Sequence, residues 1–360
     1  MVNKKILILL PGPRSNVVGG YKVVYQYGDF LKKSGFSLEY HYLCNDFVTG
    51  NRFIGGIGNL KRFIFTIFKF YKWYPFENIR KKEHRVTKRL SKEYVNTFDV
   101  ILTTAVETLL YLDGIDFNKS IKVINFVQDY EVWRFSEEIV ESTYKLPYLK
   151  NITISNILAK KITDAGAQQP KVIFNGIDQN IFKQNSLWAQ RTNNTFLFMY
   201  HPSHRKGCDI LLKTIEKYKE RNANAQFTCF STYPKPNQFP KGINYIYRPS
   251  KLELVNEYNK NKFFICSSRF EGFGLTPAEA MSCGSLVLTT DNGGVNSFIE
   301  DGVSGLYFND FSVESMLEKL EMVESMDESR LTSIAQNGQN YINHNLALNK
   351  SLCDFKKEIL

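Results

Sequence analysis

Ser267-Ser268-Arg269-Phe270-Glu271-Gly272-Phe273-Gly274-Leu275-Thr276-Pro277-Ala278-Glu279-Ala280-Met281-Ser282-Cys283-Gly284 decides how this chain is read. The apolar run Phe263-Phe264-Ile265-Cys266 before it has the composition of a buried strand and ends at the two serines. A glycine turn, Glu271 to Gly274, leads into a short helix. Thr276 suits the N-cap, Pro277 the first helical position, and Glu279 the third place of a capping box. Gly284 closes the helix, and Leu286-Val287-Leu288 starts the next buried strand. Strand, turn, helix and strand in this order make a βαβ unit. Its turn lies at the carboxyl end of a parallel strand, where open sheets hold ligands, and a helix N-terminus there favours an anion.

The pattern continues outward on both sides. Ile6 to Leu10 is an apolar run of five followed by Pro11-Gly12-Pro13, which reads as a first strand and not as a leader peptide. The loop from Pro11 ends in Gly19-Gly20, and Val23, Val24, Tyr27, Phe30 and Leu31 then recur at helical spacing as far as Gly35. Strands follow at 37–44, 98–103 and 121–127, the last running into Gln128-Asp129-Tyr130-Glu131. Ile152 to Ser155, a helix to Ala165, and Val172 to Asp178 complete a first α/β domain over 1–178. A polar linker, 184–194, opens a second domain over 179–342. It has strands at 196–200, 226–231 and 243–247, the loop His201-Pro202-Ser203-His204-Arg205-Lys206-Gly207, and a helix start at Arg248-Pro249-Ser250. Residues 343–360 read as a helix crossing back to the first domain.

Residues 51–90 depart from the alternation. Phe63, Phe65, Phe68 and Trp73 are interleaved with Lys61, Arg62, Lys69 and Lys72, and a basic run from Arg80 to Arg89 follows. Two readings stay open: an amphipathic helix on an anionic membrane surface, and one packed on its own domain with solvated charges.

The totals narrow the classes. A chain of 360 residues, 43% hydrophobic and 23% charged, has the make-up of a two-domain globular protein. The net charge of +10 implies a polyanionic partner. No nucleic-acid motif accompanies it, so an anionic lipid or a phosphorylated substrate is expected. The cysteines Cys44, Cys208, Cys229, Cys266, Cys283 and Cys353 show no metal-ligand spacing and read as reduced core residues of a cytoplasmic protein. His201 and His204 lack a third ligand nearby, so no metal is expected. No stretch of about 18 apolar residues is present to span a membrane.

Glu271-Gly272-Phe273-Gly274-Leu275 with Glu279, seven residues between the two glutamates, resembles the donor-site signature of the retaining glycosyltransferases of family GT4. Asn292-Gly293-Gly294 and Glu300-Asp301-Gly302-Val303-Ser304-Gly305-Leu306 stand at matching offsets. The resemblance covers nearly the whole chain. It implies an α/β GT-B fold: two facing Rossmann-like doubly wound parallel-sheet domains with a cleft between them, donor held mainly by the second and acceptor by the first. It further implies that Glu271 orients the donor sugar and that Glu279 holds the ribose, the capping box being the other reading of Glu279. Backbone at Gly272, Phe273, Gly274, Leu275 and Thr276 would take sugar hydroxyls and phosphate, and Gly19 and Gly20 would let a loop approach the diphosphate. Lys206 matches the family's diphosphate lysine. The usual arginine's place, five residues earlier, holds His201, with Arg205 as the candidate substitute. Arg248 stands where members contact the nucleotide base.

Where most members carry a histidine near the anomeric carbon, this chain has Gln128. The phrase Gln128 to Glu131 resembles that of bacterial surface-polysaccharide rhamnosyltransferases. Gln128 and Asp129 are therefore candidate site residues, with Tyr130 and Glu131 beside them; the other reading of Asp129 is a cap on the next segment. The implied activity is metal-independent transfer of a sugar from dTDP-rhamnose or a UDP-hexose, without a cofactor, to a lipid-linked glycan at the inner face of the cell membrane. Lys61, Arg62, Phe65, Phe68, Lys69, Lys72 and Trp73 would form the membrane and acceptor face. The alternatives are an inactive subunit that binds a glycan or a partner enzyme, and a sugar-nucleotide epimerase.

Overall fold

The computed structural model describes residues 4–12, 14, 17–43, 83–87 and 89–360. They divide into two compact units, one comprising Met1–Phe174 with Leu352–Leu360 and the other Asn175–Ser351.

In the first unit β1 (Lys5–Leu10), α1 (Gly19–Lys33), β2 (Ser37–Leu43), β3 (His84–Thr87), α2 (Lys92–Val95), β4 (Val100–Thr103), α3 (Val106–Asp113), β5 (Lys122–Val127), α4 (Glu137–Tyr144), β6 (Leu149–Thr153), α5 (Asn156–Asp164) and β7 (Lys171–Val172) follow in turn. The strands form one parallel sheet in the order β3-β2-β1-β4-β5-β6-β7. β1 and β4 are buried along nearly their whole length because helices cover both faces of such a sheet, which is why their sequences are continuous apolar runs. Gly19 and Gly20 form the first turn of α1 and so belong to the helix, where the sequence reading placed them in the preceding loop.

The basic run also differs from expectation at its end. His84 and Arg85 lie in β3, a strand paired with β2. The Tyr40 ring stacks on His84 at 4.6 Å and Arg85 Nε lies 3.3 Å from the Glu39 carboxylate, so these side chains are used in strand pairing. Lys61, Arg62, Phe65, Phe68, Lys69, Lys72 and Trp73 lie outside the described residues.

The second unit repeats the plan: β8 (Thr192–Met199), α6 (Cys208–Arg221), β9 (Gln226–Ser231), β10 (Ile243–Tyr247), α7 (Lys251–Lys260), β11 (Asn261–Cys266), α8 (Leu275–Ser282), β12 (Leu286–Thr289), β13 (Leu306–Tyr307), α9 (Val313–Ser325) and α10 (Glu328–Asn345). Its strands run parallel in the order β10-β9-β8-β11-β12-β13. The Phe196 ring lies between Phe227 at 4.8 Å and Phe263 at 5.0 Å, aromatic packing at the centre of the core. The final helix α11 (Leu348–Ile359) brings Phe355 against Tyr27 at 4.5 Å and Phe126 at 5.3 Å in the first unit.

In both sheets the strand order reverses direction once, between β1 and β4 and between β8 and β11. Loops leaving the carboxyl ends of two such strands diverge to opposite sides and leave an open crevice. The crevice in the second unit is bordered by residues 200–207 and 267–274.

Candidate active site

Lys206 and Glu271 meet at that crevice. Lys206 Nζ donates to Glu271 Oε1 at 2.6 Å, and Ser268 Oγ donates to the same oxygen at 2.6 Å. Both side chains are mostly buried, with 25% of Lys206 and 14% of Glu271 exposed, so the attraction acts in a medium that screens it less than water does. Burial pushes the Glu271 carboxyl up, but the Lys206 ammonium and the two hydrogen bonds outweigh it and hold the group below its ordinary range. Burial alone would lower Lys206, and the Glu271 charge holds it above its usual value. Each partner thus keeps the other ionised. With the pair closed, the hole they line with Cys266, Ser267 and Thr276 measures about 10 Å³, room for one water.

The loops carrying the pair are joined along their backbones. Ser267 Oγ donates to the Lys206 carbonyl at 2.9 Å, and Arg269 N donates to the Arg205 carbonyl at 2.8 Å. Gly207 makes this approach possible. Its φ of +62° is left-handed, and a Cβ there would lie 1.9 Å from the Ser267 carbonyl oxygen. Asn292-Gly293-Gly294 braces the other side. The Asn292 carbonyl accepts from Glu271 N at 3.0 Å, and a Cβ on Gly294 would stand 2.7 Å from the Glu271 carbonyl.

The capping reading is overturned. The N-cap of α8 is Gly274, with φ +97°, so Leu275 is the first helical residue, Thr276 the second and Pro277 the third. A capping box needs an N–H at the third residue, and proline has none. Glu279 is the fifth residue of the helix, 4% exposed, and its Oε2 accepts from Tyr258 Oη at 3.3 Å. Leu275 and Thr276 occupy the first turn, whose N–H groups have no partner earlier in the helix. Gly272, Phe273 and Gly274 are buried in the turn that delivers it.

The other cations near Lys206 have separate placements. His201 Nδ1 accepts from Ser203 N at 3.0 Å and its ring meets Tyr233 edge-on at 4.8 Å. Burial, with the Lys206 charge adding to it, lowers the His201 pKa and favours the neutral ring, so His201 does not bring the charge of the arginine it replaces. The Arg205 guanidinium lies over the Phe270 ring at 5.3 Å, and its charge helps to depress Glu271. Arg248 is exposed at the end of β10, two strands from β8, with φ +52° and its guanidinium 5.1 Å from the Tyr247 ring centre.

In the first unit Gln128 follows β5 and its amide faces the start of α1. A Cβ on Gly20 would be 3.3 Å from Gln128 Nε2, and Gln128 Oε1 is buried with no hydrogen-bond partner among the described residues. Asp129 Oδ1 accepts from Tyr130 N at 2.8 Å, a local turn bond. Tyr130 is 5% exposed and donates to Glu137 at 2.6 Å and Glu141 at 3.2 Å, so it is part of the packing. Glu131 Oε1 accepts from Val106 N, the first residue of α3, at 3.0 Å. Burial, aided by the charges of Asp129 and Glu107, pushes Glu131 up to about 7. Among the described residues no group of three or more His, Cys, Asp or Glu side chains is placed to hold a metal, and no helix is long and apolar enough to cross a membrane.

Ser268 and Arg269 stand inside the opening stretch, yet spacing assigns neither a role. Asp209, which Arg269 grips, lies 60 residues away in the chain, and no local signal links the two.

Two parallel-sheet α/β units of this strand order have the topology of the GT-B fold, and known structures agree. Anabaena HepE in complex with UDP-glucose superposes with a TM-score of 0.72 at 13% identity over 99% of each chain. Residues 193–324, within the second unit, match the family model described as Glycosyl transferases group 1. An uncharacterized glycosyltransferase of Methanocaldococcus jannaschii is 26% identical over 196 residues, 53% of this chain and 54% of the relative. The serotype-specific mannosyltransferase WbdA of Escherichia coli is 24% identical over 244 residues, 67% of this chain and 26% of the relative. The chain thus spans about half of the first relative's length and about a quarter of the second's.

Proposed function

We propose that this chain is a retaining glycosyltransferase that works without a metal, moving a sugar from a nucleotide diphosphate donor to a growing, lipid-linked cell-surface glycan. The observation that carries the reading is the closed Lys206–Glu271 pair at the switch point, inside a group 1 glycosyl transferase domain. A diphosphate entering there offers Lys206 a stronger anion than one carboxylate, and Glu271 is released to accept from a sugar hydroxyl. As the bond from the anomeric carbon to the diphosphate oxygen breaks, Lys206 and Arg205 stabilise the charge that develops, and the N–H groups of Leu275 and Thr276 add the positive end of α8. The acceptor oxygen bonds to the same face of the anomeric carbon, and its proton leaves with the diphosphate. Glu279 holds the ribose, Arg248 the base side, and Gln128 offers its carbonyl, which has no partner among the described residues, to a donor or acceptor hydroxyl.

The donor is dTDP-rhamnose or a UDP-hexose; the rhamnosyl reading rests on the phrase Gln128 to Glu131, and the UDP-glucose held by HepE supports the second. The acceptor face is the segment containing Lys61, Arg62, Lys69 and Lys72 on an anionic membrane, and the +10 charge of the chain supports that partner. Thermal shift with UDP, dTDP and GDP and their nucleosides, in EDTA, tests the reading. One diphosphate series should raise the midpoint, and Lys206→Ala should weaken the diphosphate far more than its nucleoside. No shift with any nucleotide would overturn it.

A further inference from the structure

Arg269 touches the Lys206 loop at several points without lining the hole that Lys206 and Glu271 close. Its backbone N–H donates to the Arg205 carbonyl at 2.8 Å, and Nη1 donates to the His204 carbonyl at 2.5 Å. The guanidinium forks onto Asp209, Nη1 to Oδ1 at 2.9 Å and Nη2 to Oδ2 at 3.0 Å. Its flat face lies 4.1 Å from the centre of the Phe311 ring. Asp209 is the second residue of α6, the helix that begins immediately after Gly207. Arg269 therefore holds the turn 204–206 from one side and the helix behind it from the other, while Ser267 holds the Lys206 carbonyl.

From this geometry we propose that Arg269 is a positioning residue for Lys206: it sets where the ammonium stands in the donor diphosphate site without touching the diphosphate. The inference rests on the donor-site reading above. A planar, five-donor fork is needed to bind a carboxylate bidentately, cover an aromatic ring and reach a carbonyl together, which a lysine cannot do. The pair is surface-accessible, with 25% of Arg269 and 47% of Asp209 exposed, so its contribution to global stability is small and its effect lies in geometry. Geometry of this kind matters because a shift of about 1 Å in a charged contact costs much of its effect.

The test is a double-mutant cycle read by calorimetric binding of UDP, dTDP or GDP, whichever the wild type binds, with the matching nucleoside as control. Arg269→Met should weaken diphosphate binding about tenfold and leave the nucleoside unchanged. On a Lys206→Ala background the same substitution should have no further effect, because the group it positions is gone. Asp209→Asn, which leaves Arg269 and its carbonyl bonds in place, should give a smaller loss of the same selectivity, and it serves if Arg269→Met does not fold. An equal loss on both backgrounds, or equal losses for diphosphate and nucleoside, would overturn the positioning role. A selective loss with Lys206→Ala but none with Arg269→Met or Asp209→Asn would remove this proposal and leave the donor site standing. A wild type that binds no diphosphate would remove both.

Discussion

Glu271 gives up its proton more easily than its burial alone would allow, because Lys206 and Ser268 both bond the ionised form. That arrangement makes an opposed pair of outcomes for Glu271→Gln. Under the proposed function, turnover should fall at least about tenfold, since a neutral amide would be a weaker acceptor for a sugar hydroxyl where catalysis depends on preorganised charge. Affinity for the free nucleoside diphosphate should rise, since Lys206 loses its competing anion; calorimetry beside a turnover assay measures both, and a parallel fall would count against the paired site. Glu131 carries a different expectation. Its carboxyl stands at about 7 in the fold against an ordinary 4.5, mainly through burial. The folded state then binds the extra proton, so its contribution to stability is full below about 4.5 and is lost as pH rises through about 7. Glu131→Gln keeps the acceptor for Val106 N and has nothing to ionise. The variant should lose less stability than the wild type between pH 5 and 8, measured by melting temperature, and equal slopes would place the titration elsewhere.

At the scale of elements, the proposed donor site depends on how closely two loops approach. Gly207 ends the turn that carries Lys206 and lets α6 begin while Ser267 passes beside it. Gly207→Ala should destabilise the protein by at least about 2 kcal/mol, from left-handed strain and the clash with the Ser267 carbonyl together. Urea unfolding gives the value, and a loss under about 0.5 kcal/mol would mean the loops separate at little cost. The helix α8 illustrates a different lesson. Thr276, Pro277 and Glu279 have the residue types of a capped helix start, but Gly274 can adopt φ +97° and the helix begins earlier. Glu279 is thereby carried onto the inner side, beside Tyr258 of α7, where no capping argument applies.

For the whole molecule, the charge of +10 and the basic, aromatic segment around Lys61 to Trp73 lead to one expectation. Vesicles containing anionic lipid should sediment the protein, and changing Lys61, Arg62, Lys69 and Lys72 to Glu should reduce the effect, as should added salt. Identical behaviour with neutral vesicles would refute a membrane partner. The alternation of strands and helices, the parallel sheets and the glycine-bordered crevice were legible because they depend on local periodicity, apolar run length and turn residues. Glu271 and Lys206 were legible as candidates through the motifs that resemble the GT4 donor-site signature, and Gln128 because it follows a strand end. What no local pattern carries is which of them meet. Lys206 and Glu271 are 65 residues apart, and Arg269 and Asp209 60, yet both pairs form because β8 and β11 are neighbours at the reversal of strand order. The sequence by itself determined the elements and the chemistry available at their ends. The tertiary structure alone decided the pairings, because a side chain's partner is chosen by which strands lie side by side.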